Sequence, residues 1–319
     1  MFRTDLNHFL QSFDSQPLHQ FMEIVSFMGT VYMLLLTILI LIGGVNVRKG
    51  FLVLNILGWG VLFMLGAKNY FDYPRPLAVD ATLESFGRDK TPENLVALQP
   101  TRFFEGFSDE LLLKTRTSKI MRHGLPSSHT MIITAVWLGM ALLFRKKWLC
   151  VVSVSLITLT IISRMYLGMH YLGDVSLGLV LGLIFSIGFN KLYKLTGLKE
   201  EFSTSKITVL FLAAPVILAF LYSVIPGFQA GALIGLNLGL LLILRIWGEP
   251  VLVSSSLKRM LNTLVFVTLY FSMFFLSKKL HLPKEGLMPL LIFSFLNFVT
   301  LILSFYLGKL MGVFTISKA

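Results

Sequence analysis

The sequence predicts an all-α polytopic membrane bundle of about nine transmembrane helices. Three observations carry this: an apolar content of 55% with mean hydropathy +0.78, repeated charge-poor runs of membrane length, and basic residues gathered in alternate loops. Soluble domains are nearer half apolar and a quarter charged, whereas only 14% of these 319 residues are charged. Spans are expected near residues 22–44, 51–70, 127–144, 148–165, 173–189, 207–225, 229–246, 261–277 and 287–308, each close to the roughly 20 apolar residues that cross a hydrocarbon core of about 30 Å.

The loops between these spans set the orientation. Arg48 and Lys49, then Arg145, Lys146 and Lys147, then Lys191, Lys194, Lys199 and Lys206, then Arg245, Lys258 and Arg259 fall on one side. The positive-inside rule makes that side cytoplasmic. The Pro226–Gln229 turn on the other side is uncharged, although Lys278, Lys279 and Lys284 partly offset the asymmetry, and the amino terminus, with Asp5, Asp14 and Glu23 against Arg3, is expected outside. The net charge of +12 is scattered over short loops and forms no continuous stripe, which argues against nucleic acid as a partner.

The single cysteine, Cys150, excludes an intramolecular disulfide and is expected to be a buried, inert thiol. The polar first twenty residues and the long first apolar run lack the pattern of a cleavable signal, so targeting is assigned to the first membrane helix. One long polar interruption, residues 74–125, separates the second and third spans. A loop of that length is usually functional, and Phe103-Phe104 and Leu111–Leu113 suit short interfacial helices within it.

Chemistry is concentrated in three strings, all expected on the outer face. The first, Lys68 to Pro76, ends the second span. Lys68 and Arg75 are seven apart, so a helix continued through Tyr73 would present both from one face, with Arg75 able to bind two phosphate oxygens. In the second, Pro126-Ser127-Ser128-His129, Ser127 or Ser128 is placed to cap the third span and leave N–H groups for an anion, with His129 poised to protonate a leaving oxygen. The third runs from Ser163-Arg164 to His170 and Asp174, with Gly168 and Gly173 permitting a reversal. On one helical turn, Asp174 would hold Nδ1–H of His170 and leave Nε2 as a nucleophile. Taken singly, the strings also fit a snorkelling Lys/Arg pair, a capped helix with an interfacial histidine, and a structural ion pair.

Together these strings resemble the signature of the type 2 phosphatidic acid phosphatase superfamily: K-x6-R-P, then P-S-G-H, then S-R-x5-H-x3-D. The resemblance spans roughly residues 60–190 and departs at Ser128, which stands where the family has glycine. It implies that His170 attacks phosphorus, Asp174 orients it and His129 protonates the leaving group and then activates water. Lys68, Arg75, Ser127 and Arg164 would hold phosphate oxygens, helped by a main-chain N–H at Ser128.

The implied activity is metal-independent hydrolysis of a lipid phosphate or diphosphate at the outer face through a phosphohistidine, with no cofactor. A lipid-linked phosphotransferase and a non-enzymatic lipid-phosphate binding or transport protein are the alternatives. Residues 1–206 are expected to form the catalytic membrane domain and 207–319 to add further helices. A bacterial inner membrane, with the site facing the periplasm or outside, is the expected setting. His8, His19, His123 and His281 show no metal-ligand spacing and are expected to be solvated or interfacial.

Overall fold

The computed structural model describes residues 1–117, 123–199, 201, 211, 227–279 and 287–317. The chain opens with α1 (Asp5–Gln11), α2 (Gln16–Met28) and α3 (Val31–Ile40), the last running into a π turn at Leu41–Val45; α4 (Val47–Phe71) follows. The polar stretch holds two short 3-10 turns, Pro76–Ala78 and Val96–Leu98, and α5 (Asp109–Thr117). Then come α6 (Ser128–Phe144), α7 (Lys147–Tyr166), α8 (Leu172–Leu195), α9 (Gly227–Trp247), β1 (Glu249–Leu252), α10 (Ser256–Lys279), α11 (Leu287–Leu310) and β2 (Phe314–Ser317).

Six of these helices, α4, α7, α8, α9, α10 and α11, are long and apolar enough to cross a membrane, which marks a multi-pass membrane protein. The span expected at 22–44 is a pair, α2 and α3, bent by 59°, and would be a seventh. The bend lies at Gly29-Thr30, where the Thr30 hydroxyl donates to the Phe27 carbonyl at 2.7 Å, occupying an oxygen that a continuous helix would use. The span expected at 127–144 is α6, at 17 residues a short one. The 207–225 span lies outside the described residues, as does His281. Nine spans are therefore not established. β1 and β2, which the sequence reading lacked, pair antiparallel with Val251 opposite Thr315. Cys150 is exposed on α7, so its expected burial is corrected. Its neighbours Val151 and Val154 are outward-facing too, an apolar face suited to lipid tails.

The chain forms two compact units. Unit 1 comprises Met1–Leu34 and Phe63–Ile187. Here α6 and α8 cross closely because Gly178 and Gly182 lack side chains: a Cβ there would meet the Ser127 carbonyl at 2.8 Å and the Met131 carbonyl at 2.6 Å. The polar interruption folds inward, burying Leu77, Val79, Leu83 and Leu111. Asp80, itself buried, accepts from Thr4 Oγ1 at 2.7 Å and from Thr82 Oγ1 at 2.6 Å, and its carboxylate lies 2.9 Å from His8 Nε2. It thereby ties α1 to the interruption.

Unit 2 comprises Leu35–Leu62 and Gly188–Ala319. Its principal packing is α9 against α11, where a Cβ on Gly231 would meet the Leu290 carbonyl at 2.4 Å and one on Gly235 the Ser294 carbonyl at 2.1 Å. Small residues four apart let two helix backbones touch, as membrane helix pairs often do.

Candidate active site

Each string is held by a different piece of local structure, and main-chain hydrogen bonds join them. α4 stops at Phe71 because Asp72 turns left-handed (φ 44°), two residues before the prolines. Arg75 is then extended (φ −93°, ψ 160°) ahead of the Pro76 turn. The expectation that Lys68 and Arg75 share one helix face is therefore corrected: the prolines and the left-handed Asp72 end the helix between them. Lys68 is buried and donates from Nζ to the His123 carbonyl at 2.6 Å.

The second string packs on the first and third. Gly124 N–H donates to the Tyr73 carbonyl at 2.7 Å, and a Cβ on Gly124 would meet the Pro74 carbonyl at 2.8 Å and Asp174 Oδ2 at 3.2 Å. Only glycine permits that approach. Ser127 occupies the N-cap of α6, yet its side chain makes no capping bond. It is fully buried, accepting from Thr130 Oγ1 at 3.1 Å and donating its N–H to the Asp174 carbonyl at 3.0 Å. The first intrahelical bond is Met131 N–H to the Ser127 carbonyl. The N–H groups of Ser128, His129 and Thr130 thus have no partner inside the helix. Ser128, helical where the signature has glycine, keeps its N–H. Gly29 leaves room for the ring of His129, whose Cδ2 lies 3.3 Å from the place a Cβ would take.

The third string is a helix stop followed at once by a helix start. Gly168 (φ +64°) ends α7 with Gly168 N–H on the Met165 carbonyl and Met169 N–H on the Arg164 carbonyl, the two bonds of a Schellman motif. α8 begins at Leu172, so His170 precedes the helix, and the expected helical turn holding His170 and Asp174 is corrected. Asp174, in the first turn of α8, reaches back instead. Its Oδ2 accepts from Tyr171 N–H at 3.0 Å, half of a capping box, and lies 3.2 Å from His170 Nδ1. Gly173 does not reverse the chain; a Cβ there would meet the Phe2 ring at 2.5 Å.

The strings converge electrostatically. His170 is 1% exposed, and burial, then the charges of Arg164, Arg75 and Lys68 and the neighbouring His129, hold its imidazole well below the ordinary value of 6.5. The same three cations act on His129. Arg164 is buried, and its Nη1 donates to Ser26 Oγ at 2.6 Å. Among the described residues its Nε has no hydrogen-bond partner, nor has Asp174 Oδ1. An unpartnered buried guanidinium N–H beside a helix start suits an incoming oxyanion.

The family model for the PAP2 superfamily matches residues 49–198, which contain all three strings. This segment is thus a PAP2 superfamily domain. Such a domain implies phosphatase activity on phosphate esters. No curated protein and no solved structure matches the chain.

Several residues of this PAP2 site carry no signal in the strings. Asn7 on α1 donates from Nδ2 to the carbonyls of Met165 (2.7 Å) and His170 (3.1 Å), and Ser163 Oγ donates to the Met22 carbonyl at 2.7 Å. Ser26 and the His123 carbonyl join them. The His123 ring is 45% exposed, in keeping with the expected solvated or interfacial histidine, and lies 3.3 Å from Asp72, while its carbonyl takes the Lys68 ammonium.

Proposed function

We propose that this chain is a metal-independent phosphatase that hydrolyses a lipid phosphate or diphosphate through a phosphohistidine on His170. The observation that carries the reading is the buried His170–Asp174 pair set among three cations. An ionised carboxylate can only accept, so the proton sits on Nδ1 and the lone pair on Nε2. Nε2 attacks phosphorus while the bond to the leaving oxygen breaks. His129, kept protonated by the negative charge of the bound phosphate, gives its proton to that oxygen. His129 then takes a proton from water as the water oxygen attacks the phosphohistidine, which releases phosphate and restores neutral His170. Lys68, Arg75, Arg164 and the first-turn N–H groups of α6 at Ser128 and beyond would hold the equatorial oxygens, while buried Ser127 shapes that turn.

The setting supports a lipid substrate: the cluster lies at the ends of helices long enough to span a membrane, so a headgroup could enter while its chain stays in lipid. Loop charges favour the outer, periplasmic face of a bacterial inner membrane. The experiment uses an activated aryl phosphate, whose leaving group needs no proton. His129→Ala should accumulate an acid-labile phosphoenzyme, because loss of a general base costs about 10²–10⁴ in the second step. His170→Ala should form none. Radiolabel retained on His170→Ala at wild-type levels would eliminate the proposed nucleophile.

A further inference from the structure

We infer that Asn7 and Ser26 are positioning residues of the candidate active site: Asn7 fixes the main chain that carries His170, and Ser26 aims the guanidinium of Arg164. The inference rests on the phosphatase reading, and both residues lie ahead of the PAP2 domain. Each acts through a residue that meets phosphate and not by meeting it.

Asn7 is fully buried, and its side-chain amide uses both hydrogens on one stretch of chain: Nδ2 donates to the carbonyls of Met165 at 2.7 Å and His170 at 3.1 Å. Those carbonyls flank the Gly168 turn. One planar amide thus sets the distance between the last turn of α7 and the nucleophile. Gln11, four residues on along the same face of α1, donates from Nε2 to the Tyr166 carbonyl at 2.9 Å and to the Glu84 carbonyl at 3.1 Å, while its Oε1 accepts from Glu84 N–H at 3.0 Å. A seven-residue helix is too short to persist alone, so α1 keeps this grip only while it is docked. The buried Asp80 docks it through Thr4 and His8.

Ser26 does for the cation what Asn7 does for the nucleophile. Its hydroxyl oxygen accepts from Arg164 Nη1 at 2.6 Å, and being neutral it fixes the guanidinium without supplying a countercharge. Arg164 Nε, with no hydrogen-bond partner among the described residues, is left for an oxyanion. One residue earlier, Ser163 Oγ donates at 2.7 Å to the Met22 carbonyl, which lies one helical turn back along α2 from Ser26. Two bonds from adjacent residues of α7 therefore hold α2 in register with it, and a long side chain that would otherwise sample many rotamers is given one direction. Three residues beyond Ser26, Gly29 leaves room for the His129 ring, so one end of α2 bears on both Arg164 and His129.

The test is a double-mutant cycle on the full chain in detergent, with phosphate release from an activated aryl phosphate as the rate and the unfolding midpoint as the check on folding. Ser26→Ala should lower kcat/KM about tenfold, as loss of a hydrogen bond to a charged group does, and should change nothing further in an Arg164→Gln background, because the group it aims is gone. A merely structural serine would cost the same in both backgrounds. Asn7→Ala should slow single-turnover formation of the phosphoenzyme about 10²-fold, the effect of moving a reacting group by roughly 1 Å, at an unchanged half-saturating substrate concentration. If Asn7→Ala fails to fold, the Ser26 cycle decides, since it removes a single oxygen atom. Losses that multiply across the Ser26 and Arg164 pair, wild-type kcat/KM in Ser26→Ala, or phosphoenzyme formation at the wild-type rate in folded Asn7→Ala would overturn the inference and leave the phosphatase reading standing. No phosphate release from wild type would overturn both.

Discussion

Unit 1 buries Lys68, Asp80, Arg164, His170 and Asp174, whereas the buried polar groups described in unit 2 are neutral, among them Asn55, Asn237, Asn262 and Asn297. In unit 2, Asn55 and Asn237 exchange amide hydrogen bonds at 3.1 and 3.0 Å, and Asn262 donates to the Gly43 carbonyl at 2.7 Å. Those amides join helices. The charged groups of unit 1 leave ionisable donors and acceptors such as Arg164 Nε and Asp174 Oδ1 unused by the described residues, whereas the orphan among these amides is the neutral Asn262 Oδ1. An ionisable group among membrane helices is costly and is retained where it acts on something, whereas a neutral amide pair serves as glue at small cost. The difference separates chemistry from assembly within one chain.

The contrast breaks if charge removal in unit 1 leaves turnover intact. Arg164→Gln should lower phosphate release about 10²–10³-fold, the usual effect of removing one donor to a developing anion, with the unfolding midpoint in detergent reporting whether the fold survives. Packing carries the next effect. Gly235→Leu must push α11 away, since even a Cβ would lie 2.1 Å from the Ser294 carbonyl. Overpacking of this kind costs about 1–3 kcal/mol or more, which would appear in the unfolding midpoint.

Asp80 sharpens the comparison through pH. Burial raises its pKa, but hydrogen bonds from Thr82, Thr4 and His8 outweigh this and hold it below the ordinary 3.8. Its contribution to stability is therefore complete above 3.8 and is lost as pH falls through the lower folded value. Asp80→Asn should remove about 1–3 kcal/mol at neutral pH and flatten the acid limb of the midpoint-against-pH curve. His170, held below 6.5, should likewise stay neutral as pH falls past 6.5, so an acid limb of kcat/KM set by His170 belongs below that pH. Asn237→Ala should have the smallest effect, about 0.6 kcal/mol, with activity unchanged.

The three strings were legible because their spacing is local: each is fixed by one helix end, and their order survives in the chain. Lys68, Arg75, Ser127, Ser128, His129, Arg164, His170 and Asp174 could be named from spacing and residue type. Asn7, Ser26 and the His123 carbonyl could not, because each acts across a long stretch of sequence or through main-chain atoms that every residue possesses. Helix count was legible only in part. A 17-residue α6 and a bent α2–α3 pair have the composition of spans but not the length or straightness, which packing around Gly29 and His129 decides.

The Schellman turn at Gly168 has a mechanical consequence. From Arg164 the chain spends one helix-stopping turn before His170, and Asp174 reaches back to it from the first turn of α8. The distance between the arginine and the nucleophile is thus counted out in backbone hydrogen bonds rather than left to a loop. One residue inserted between them would move the imidazole and its carboxylate together away from the arginine, whatever side chain was inserted. The number of letters between arginine and histidine in the third string is a gear ratio, and it can be read without knowing the substrate.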